Sequence, residues 1–441
     1  MITNNLVGLL ENAGASLLDV GLQPRPCSSY LAEARLSAER WRLEGVRRGS
    51  IVILESLRGL ELLKAIFTAW CLEAIPFAGD ELYDDKFSGS VFGLKGGAIE
   101  AIRAGDADCR LQGAMILHRT SGSTGQSRLV RRGGASLIAE ARRYQEALSL
   151  SGSDRMLVVL PIDHSFGWGF LLGGLLAGCL IDLKSNFSPT QTAKELDRGG
   201  VTVLGLTPPM TRLLSGRAGS RSDNPPRLVV VGAGPVDEKL EEAFKSRFGI
   251  GLARNYGSTE TGATFSGDAG SVSGSIGKPM TGVKVLEPSI GGRGELVLEL
   301  TPPVDGYINE QPSALWATGD LVERDTEERV RVLGRLDDRL RVNGQNLDRP
   351  RIENVLLSHP RLEEVYLLAY PRPNASQVED LVAVVKGSEV SQDELLRYCA
   401  DRLPLSHCPS RIVLCEEIPR TPVGKLNRDE IFRWVKNSLV R

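Results

Sequence analysis

The chain has 441 residues, more than one ordinary core holds, so length alone implies roughly two or three domains. Hydrophobic residues make up 41% and charged residues 24%, globular proportions that argue against disorder, and a formal net charge of -2 argues against a surface built for nucleic acid or anionic membrane. The 7 cysteines are scattered with no C-x-x-C pair, and the 4 histidines lie far apart, which argues against a disulfide framework or zinc site and suits a reducing cytosol.

The N-terminal stretch carries no Lys or Arg before Arg25, so it lacks the basic start of a secretory signal and a cytoplasmic location is expected. IVILE (51–55) reads as a strand, and Leu60 to Leu72 places apolar residues at helical spacing. AMILH (114–118) reads as a strand running into a polar loop, followed by an amphipathic helix over 134–150. MLVVLPI (156–162), CLIDL (179–183), VTVLGL (201–206) and RLVVVGAG (227–234) read as short strands, with a helix over 237–249. The uncharged run Phe166 to Ile181 is broken by glycines and is shorter than the ~18 residues of a membrane span, so it reads as a buried helix. Strands alternating with helices imply an α/β fold with a mostly parallel sheet flanked by helices.

After about residue 270, GELVLEL (294–300) and RVRVLGR (329–335) alternate polar and apolar residues, which suggests a β-rich subdomain. Beyond it the pattern is mixed: 351–359 helical, 362–370 extended, 381–385 a strand, 391–403 a helix. The charge- and glycine-bearing segment 334–340 marks a boundary, giving a large domain over 1–336 and a small α+β domain over 337–441.

Four segments carry candidate chemistry. RTSGSTGQSR (119–128) sets Ser121, Ser123 and Thr124 among Gly122 and Gly125 directly after a strand. Glycines let backbone N–H groups approach an anion, and hydroxyls add donors, although a plain Ser/Gly surface loop has the same residue types. It does not match G-x-x-x-x-G-K-[ST]. In NYGSTETG (255–262), Tyr256 suits stacking on a base, Thr259 a phosphate, and Glu260 a Mg²⁺ ion that arrives with phosphates; a polar turn is the bland reading. In ATGDLVERD (317–325), Asp320 suits a ribose diol or an ordinary Asx-turn. In PRTPVGKLNR (419–428), Lys425 follows a glycine in a proline-bounded loop, where most lysines are surface charges.

The order and spacing of these segments resemble the adenylate-forming superfamily of acyl-CoA synthetases, adenylation domains and luciferases. The resemblance spans nearly the whole chain and includes 45–77, RLVVVGAGPV (227–236) and GRLDDRLRVNGQNLDRPRIENVL (334–356). It implies ATP-dependent activation of a carboxylic acid as an acyl-adenylate, then acyl transfer to a thiol. By the same resemblance Thr120, Ser121, Gly122, Ser123, Thr124, Gly125 and Arg128 would hold the ATP β- and γ-phosphates. Tyr256 and Gly257 would face adenine, with Gly232 and Ala233 on its other side. Thr259 would touch the α-phosphate, Glu260 would bind Mg²⁺, and Asp320 with Arg335 would take the ribose. Lys425 would bridge the acid's carboxylate and the α-phosphate, on a lid domain that pivots at Asp337.

Some positions depart from the family pattern. Its phosphate loop normally continues Pro-Lys-Gly, where this chain has Ser127, Arg128 and Leu129. Arg341 stands where the family usually has Lys, and Arg351 where it often has Glu. PIDHSFGWG (161–169) is similar to acyl- and aryl-CoA ligases, and the Phe-Asp pair of amino-acid-activating domains is absent. His164, Phe166, Trp168 and Met210 are candidates for an acyl pocket; core packing is the competing explanation for the aromatics and Met210. The thiol is expected to be CoA, with the phosphopantetheine arm of an acyl carrier protein, or a non-catalytic nucleotide-binding role, as the alternatives.

Overall fold

In the computed structural model the described residues are 2–18, 23–79, 88–120, 128–217, 224–269, 271, 274–336, 340–342, 345–347, 349–372, 375–420 and 426–439. The apolar runs become the parallel part of a large sheet. Arg155–Val158, Leu180–Leu183, Val203–Leu206 and Leu228–Gly232 pair in parallel, with Ser16–Leu18 joining on one side and Ala253–Ser258 on the other. These strands are buried on both faces, which is why they read as continuous rather than alternating apolar sequence. The expected strand over 156–162 ends at Val158, short of Pro161.

Beyond Ala253–Ser258 the same sheet turns antiparallel through Gly262–Gly267, Ser275–Pro279, Val330–Arg335, Ser313–Arg324, Arg293–Val304 and Val283–Glu287. The expected β-rich region is therefore hydrogen-bonded onto the parallel strands and has its own core around Phe265, Leu296, Leu298 and Val322. A second sheet runs in the order Ala98–Arg103, Val91–Lys95, Ile51–Ile53, Ile75–Phe77, Ala114–Arg119, Leu129–Gly133.

Helix Ser165–Leu176 is buried from Ser165 to Leu175, as an element apolar on all sides must be. It packs against helix Gly134–Ala147, whose buried face includes Leu137, Glu140, Ala141 and Tyr144. Helix Glu238–Phe248 matches its sequence signals. Asp237 caps it by accepting from the Leu240 N–H at 2.7 Å, acidic and basic residues occupy its first and last turns, and Gly249 ends it at φ 78°. Helices Ile2–Asn12, Cys27–Leu43, Pro189–Arg198, Pro208–Ser215 and Arg428–Leu439 are additional to the expected elements.

The chain forms two compact units, dividing between Leu333 and Gly334. In the second unit Leu362–Arg372 and Ala375–Gly387 pair antiparallel, and Arg411–Cys415 adds in parallel. One core of this unit gathers Ile352, Leu356, Leu395 and Cys399; the other gathers Tyr366, Val384, Ile431 and Val435. Among the described residues no helix is long and apolar enough to cross a membrane.

Candidate active site

Ligands of open α/β sheets collect where parallel strands end. Strand Leu228–Gly232 ends at Gly232, which is paired with Asn255, one residue before Tyr256 on the neighbouring strand. Ala233 follows at φ 64°, a left-handed backbone that costs a non-glycine residue roughly 1–2 kcal/mol. Tyr256 is half-buried, edge-to-face with Phe265 at 5.7 Å, and its hydroxyl donates to the buried carboxylate of Asp320. The candidate base-stacking and ribose-binding side chains are thus already joined. Arg335 is exposed at the end of Val330–Arg335.

Residues 259–261 form the turn between Ala253–Ser258 and Gly262–Gly267. The Thr259 hydroxyl lies 3.4 Å from Ser165 Oγ, which brings it to the start of the buried helix. Glu260 is buried, and its Oε1 accepts from the Tyr307 hydroxyl at 2.6 Å. Among the described residues no cation pairs with Glu260. A buried carboxylate without a cationic partner is the kind of group a metal completes, and Mg²⁺ commonly takes one or two carboxylates together with phosphate oxygens. No cluster of three or more His, Cys, Asp or Glu suited to a metal occurs among the described residues, so a single-carboxylate site fits better than a protein cage.

Strand Ala114–Arg119 leads to Thr120, whose N–H donates to the Arg128 carbonyl at 2.8 Å. The Arg128 N–H returns a bond to Thr120 Oγ1 at 3.3 Å, so the two ends of the hydroxyl-rich segment are tied together. Ser121, Gly122, Ser123, Thr124 and Gly125 lie outside the described residues, as do Asp337 and Lys425. The Arg128 guanidinium lies 3.3 Å over the Tyr307 ring and bonds Glu310 Oε1 at 2.5 Å.

The acyl candidates divide. His164 caps helix Ser165–Leu176 through Nδ1, 3.3 Å from the Phe166 N–H. Phe166 closes on Gly232, where an added Cβ would stand 3.0 Å from its ring. Met210, half-buried on helix Pro208–Ser215, bridges two core clusters. Trp168 is 1% exposed and edge-to-face with Trp70 at 5.6 Å, which is core packing. Asp163 pairs with Arg58 at 3.5 Å.

Beneath the turn lies an ion pair absent from the sequence reading. Arg132 and Glu140 meet at 2.9 Å with each side chain 1% exposed. Glu140 Oε1 also accepts from the Ala263 N–H at 3.0 Å, and Arg132 reaches the Thr259 carbonyl at 3.4 Å. The carboxylate sits between two glycines: a Cβ on Gly169 would fall 2.2 Å from Oε1, and one on Gly262, at φ +67°, would fall 2.3 Å from Cδ. Arg143 adds bonds to the carbonyls of Thr261, Ala263 and Thr281, and burial lowers its guanidinium to about 10. The available signal was a glutamate at helical spacing among Leu137, Ala141 and Tyr144.

His118 was also missed as a feature of the site. It lies on the strand leading to Thr120 and is 2% exposed. Burial, with smaller repulsion from Arg132 and His164, pushes its imidazole from 6.5 down to about 3. The folded protein holds it neutral while the unfolded chain protonates it, so its contribution to stability is full above pH 6.5 and is lost as pH falls toward 3. Urea unfolding at pH 7 and pH 5 is expected to show a loss of about 2 kcal/mol from this residue. The His118→Gln variant should lose that part of the pH dependence; equal slopes in both proteins would refute the assignment.

The family model for AMP-binding enzymes matches residues 106–307, and the model for the AMP-binding enzyme C-terminal domain matches residues 351–425. The chain is 26% identical to 2-succinylbenzoate–CoA ligase of Geobacillus kaustophilus, over 95% of this chain and 94% of that one. It is 30% identical to the enzyme of the same name from Bacillus cereus strain Q1, over 74% of this chain and 71% of the relative. The O-succinylbenzoate coenzyme A synthetase of Bacillus subtilis, solved with ATP and magnesium ion, superposes with a TM-score of 0.77 at 22% identity, covering 97% of this chain and 99% of that one.

Proposed function

The chain belongs to the AMP-binding enzyme family, and from that premise we propose how its residues serve an AMP-forming acid–thiol ligase. The reaction activates a carboxylic acid with ATP, releases pyrophosphate, and passes the acyl group from the adenylate to the thiol of coenzyme A. The observation that carries the assignment of roles is the strand-end cluster, in which Tyr256 is bonded to Asp320 while the buried Glu260 has no cationic partner among the described residues.

Adenine lies against Tyr256 and Gly257, with Gly232 and Ala233 opposite. Asp320 takes the ribose hydroxyls together with Arg335, and Thr259 meets the α-phosphate. The segment from Thr120 to Gly125, with Arg128, receives the β- and γ-phosphates. Glu260 would hold Mg²⁺, and bound there the ion would neutralise phosphate charge. Lys425 supplies the positive charge that a carboxylate needs to approach an anionic phosphoryl group. Residues 337–441 act as the lid domain, with Asp337 as its pivot.

The acid has no α-amine to be held. Asp163, adjacent in sequence to where amino-acid-activating domains carry their Phe-Asp pair, is already paired with Arg58. His164, Phe166 and Met210 supply an aromatic and thioether surface suited to an acyl or aryl group.

Exchange of labelled pyrophosphate into ATP tests the first step. It is expected with at least one member of a panel of short, long and aromatic acids, with 2-succinylbenzoate included because the curated relatives are named for it. Failure with every acid would overturn the proposal. Supplying CoA or a phosphopantetheinylated carrier protein then identifies the acceptor, and thioester on CoA is expected.

A further inference from the structure

We propose that Tyr307 is a positioning residue that orients the Glu260 carboxylate toward the metal and thereby sets the Mg²⁺ requirement for nucleotide binding. This rests on the reading of Glu260 as the metal-holding residue. Among the described residues Tyr307 is the only side chain that hydrogen-bonds the Glu260 carboxylate, at 2.6 Å to Oε1. A hydroxyl donor on one oxygen restrains the carboxylate and leaves its other oxygen available to a cation. A tyrosine phenol is protonated at neutral pH and therefore donates this bond.

Tyr307 is itself held on several sides. Its backbone pairs with Val130 as a β-bridge, and the neighbouring Gly306 carbonyl accepts from the Arg131 N–H at 3.1 Å. The Arg128 guanidinium covers one ring face at 3.3 Å, and Trp316 lies 6.1 Å away. Arg128 is kept there by Glu310. A planar guanidinium stacks on an aromatic face in a way a lysine ammonium cannot reproduce, which gives the arginine at this departure from the usual sequence a structural use. The end of the phosphate segment and the metal carboxylate are thus linked through one aromatic ring.

Groups that orient a metal ligand typically change metal affinity 10- to 100-fold when removed. Tyr307→Phe keeps the ring and its packing and removes only the hydroxyl. Calorimetric binding of α,β-methylene ATP, titrated with Mg²⁺, is expected to show the half-saturating Mg²⁺ rising about tenfold or more. Affinity for the nucleotide in EDTA should stay at the wild-type value, which general damage to the fold would not allow. A parallel Glu260→Gln variant separates two failures. If Glu260→Gln loses the Mg²⁺ effect and Tyr307→Phe does not, the role of Tyr307 is overturned alone. If Glu260→Gln keeps the wild-type Mg²⁺ dependence, the reading of Glu260 falls and Tyr307 with it.

Discussion

In the Lys425→Ala variant, acid-dependent exchange of pyrophosphate into ATP is expected to fall by about two to three orders of magnitude. The reason is the charge balance of the first step. A carboxylate attacks a phosphoryl group that already carries negative charge, and the repulsion grows as the atoms approach. A preorganised ammonium group offsets that repulsion where it peaks, an effect of order ~3 kcal/mol. The second step starts from a neutral acyl carbon and has no such requirement. Thioester formation from supplied acyl-adenylate should therefore be much less affected. Single-turnover measurement of the two half-reactions checks the split, and equal losses in both would remove Lys425 from its assigned role.

Removing the Glu140 carboxylate is expected to have the largest effect on stability. Arg132 and Glu140 are both almost completely shielded from water. Glu140→Ala would leave a buried guanidinium unpaired and free the Ala263 N–H, at a cost of about 3–5 kcal/mol. The unfolding midpoint should drop accordingly. The double variant Arg132→Met with Glu140→Leu should be less damaged than either single one, because it leaves no orphaned charge. A single variant within about 1 kcal/mol of wild type would show that water reaches this pair. Since Arg132 and Arg143 hold the carbonyls of residues 259, 261 and 263, exchange activity should fall in the folded fraction as well.

The parallel strands were legible because residues buried on both faces are apolar without interruption, as in Val203–Leu206 and Leu228–Gly232. Helix Cys27–Leu43 was less so. Its buried positions include Cys27, Ala34 and Ala38, small residues that contribute little contrast to a periodic pattern. Helix Pro189–Arg198 has a clear start, with Ser188 capping and proline in the first turn, yet only Thr192, Ala193 and Leu196 are buried on it. The strand-end residues could be read because each lies in a short segment of unusual composition. Tyr307 could not: its bond to Glu260 joins residues 47 apart in sequence, and a Gly-Tyr pair in a loop gives no hint of that partner. Arg132 follows Arg131 in sequence with nothing to mark it as buried, and only the fold shows the carboxylate eight residues on turning back to meet it.

The glycine at 169 has a consequence for how this enzyme can diversify. The helix that bears Phe166 and Trp168 is seated at that glycine directly on the Glu140 carboxylate, with no clearance for an added methyl group. Packing this close opposes movement of the helix toward Glu140 at that point. In the proposed acyl pocket, new selectivity is therefore expected to come from trimming or enlarging individual side groups such as Phe166 and Met210.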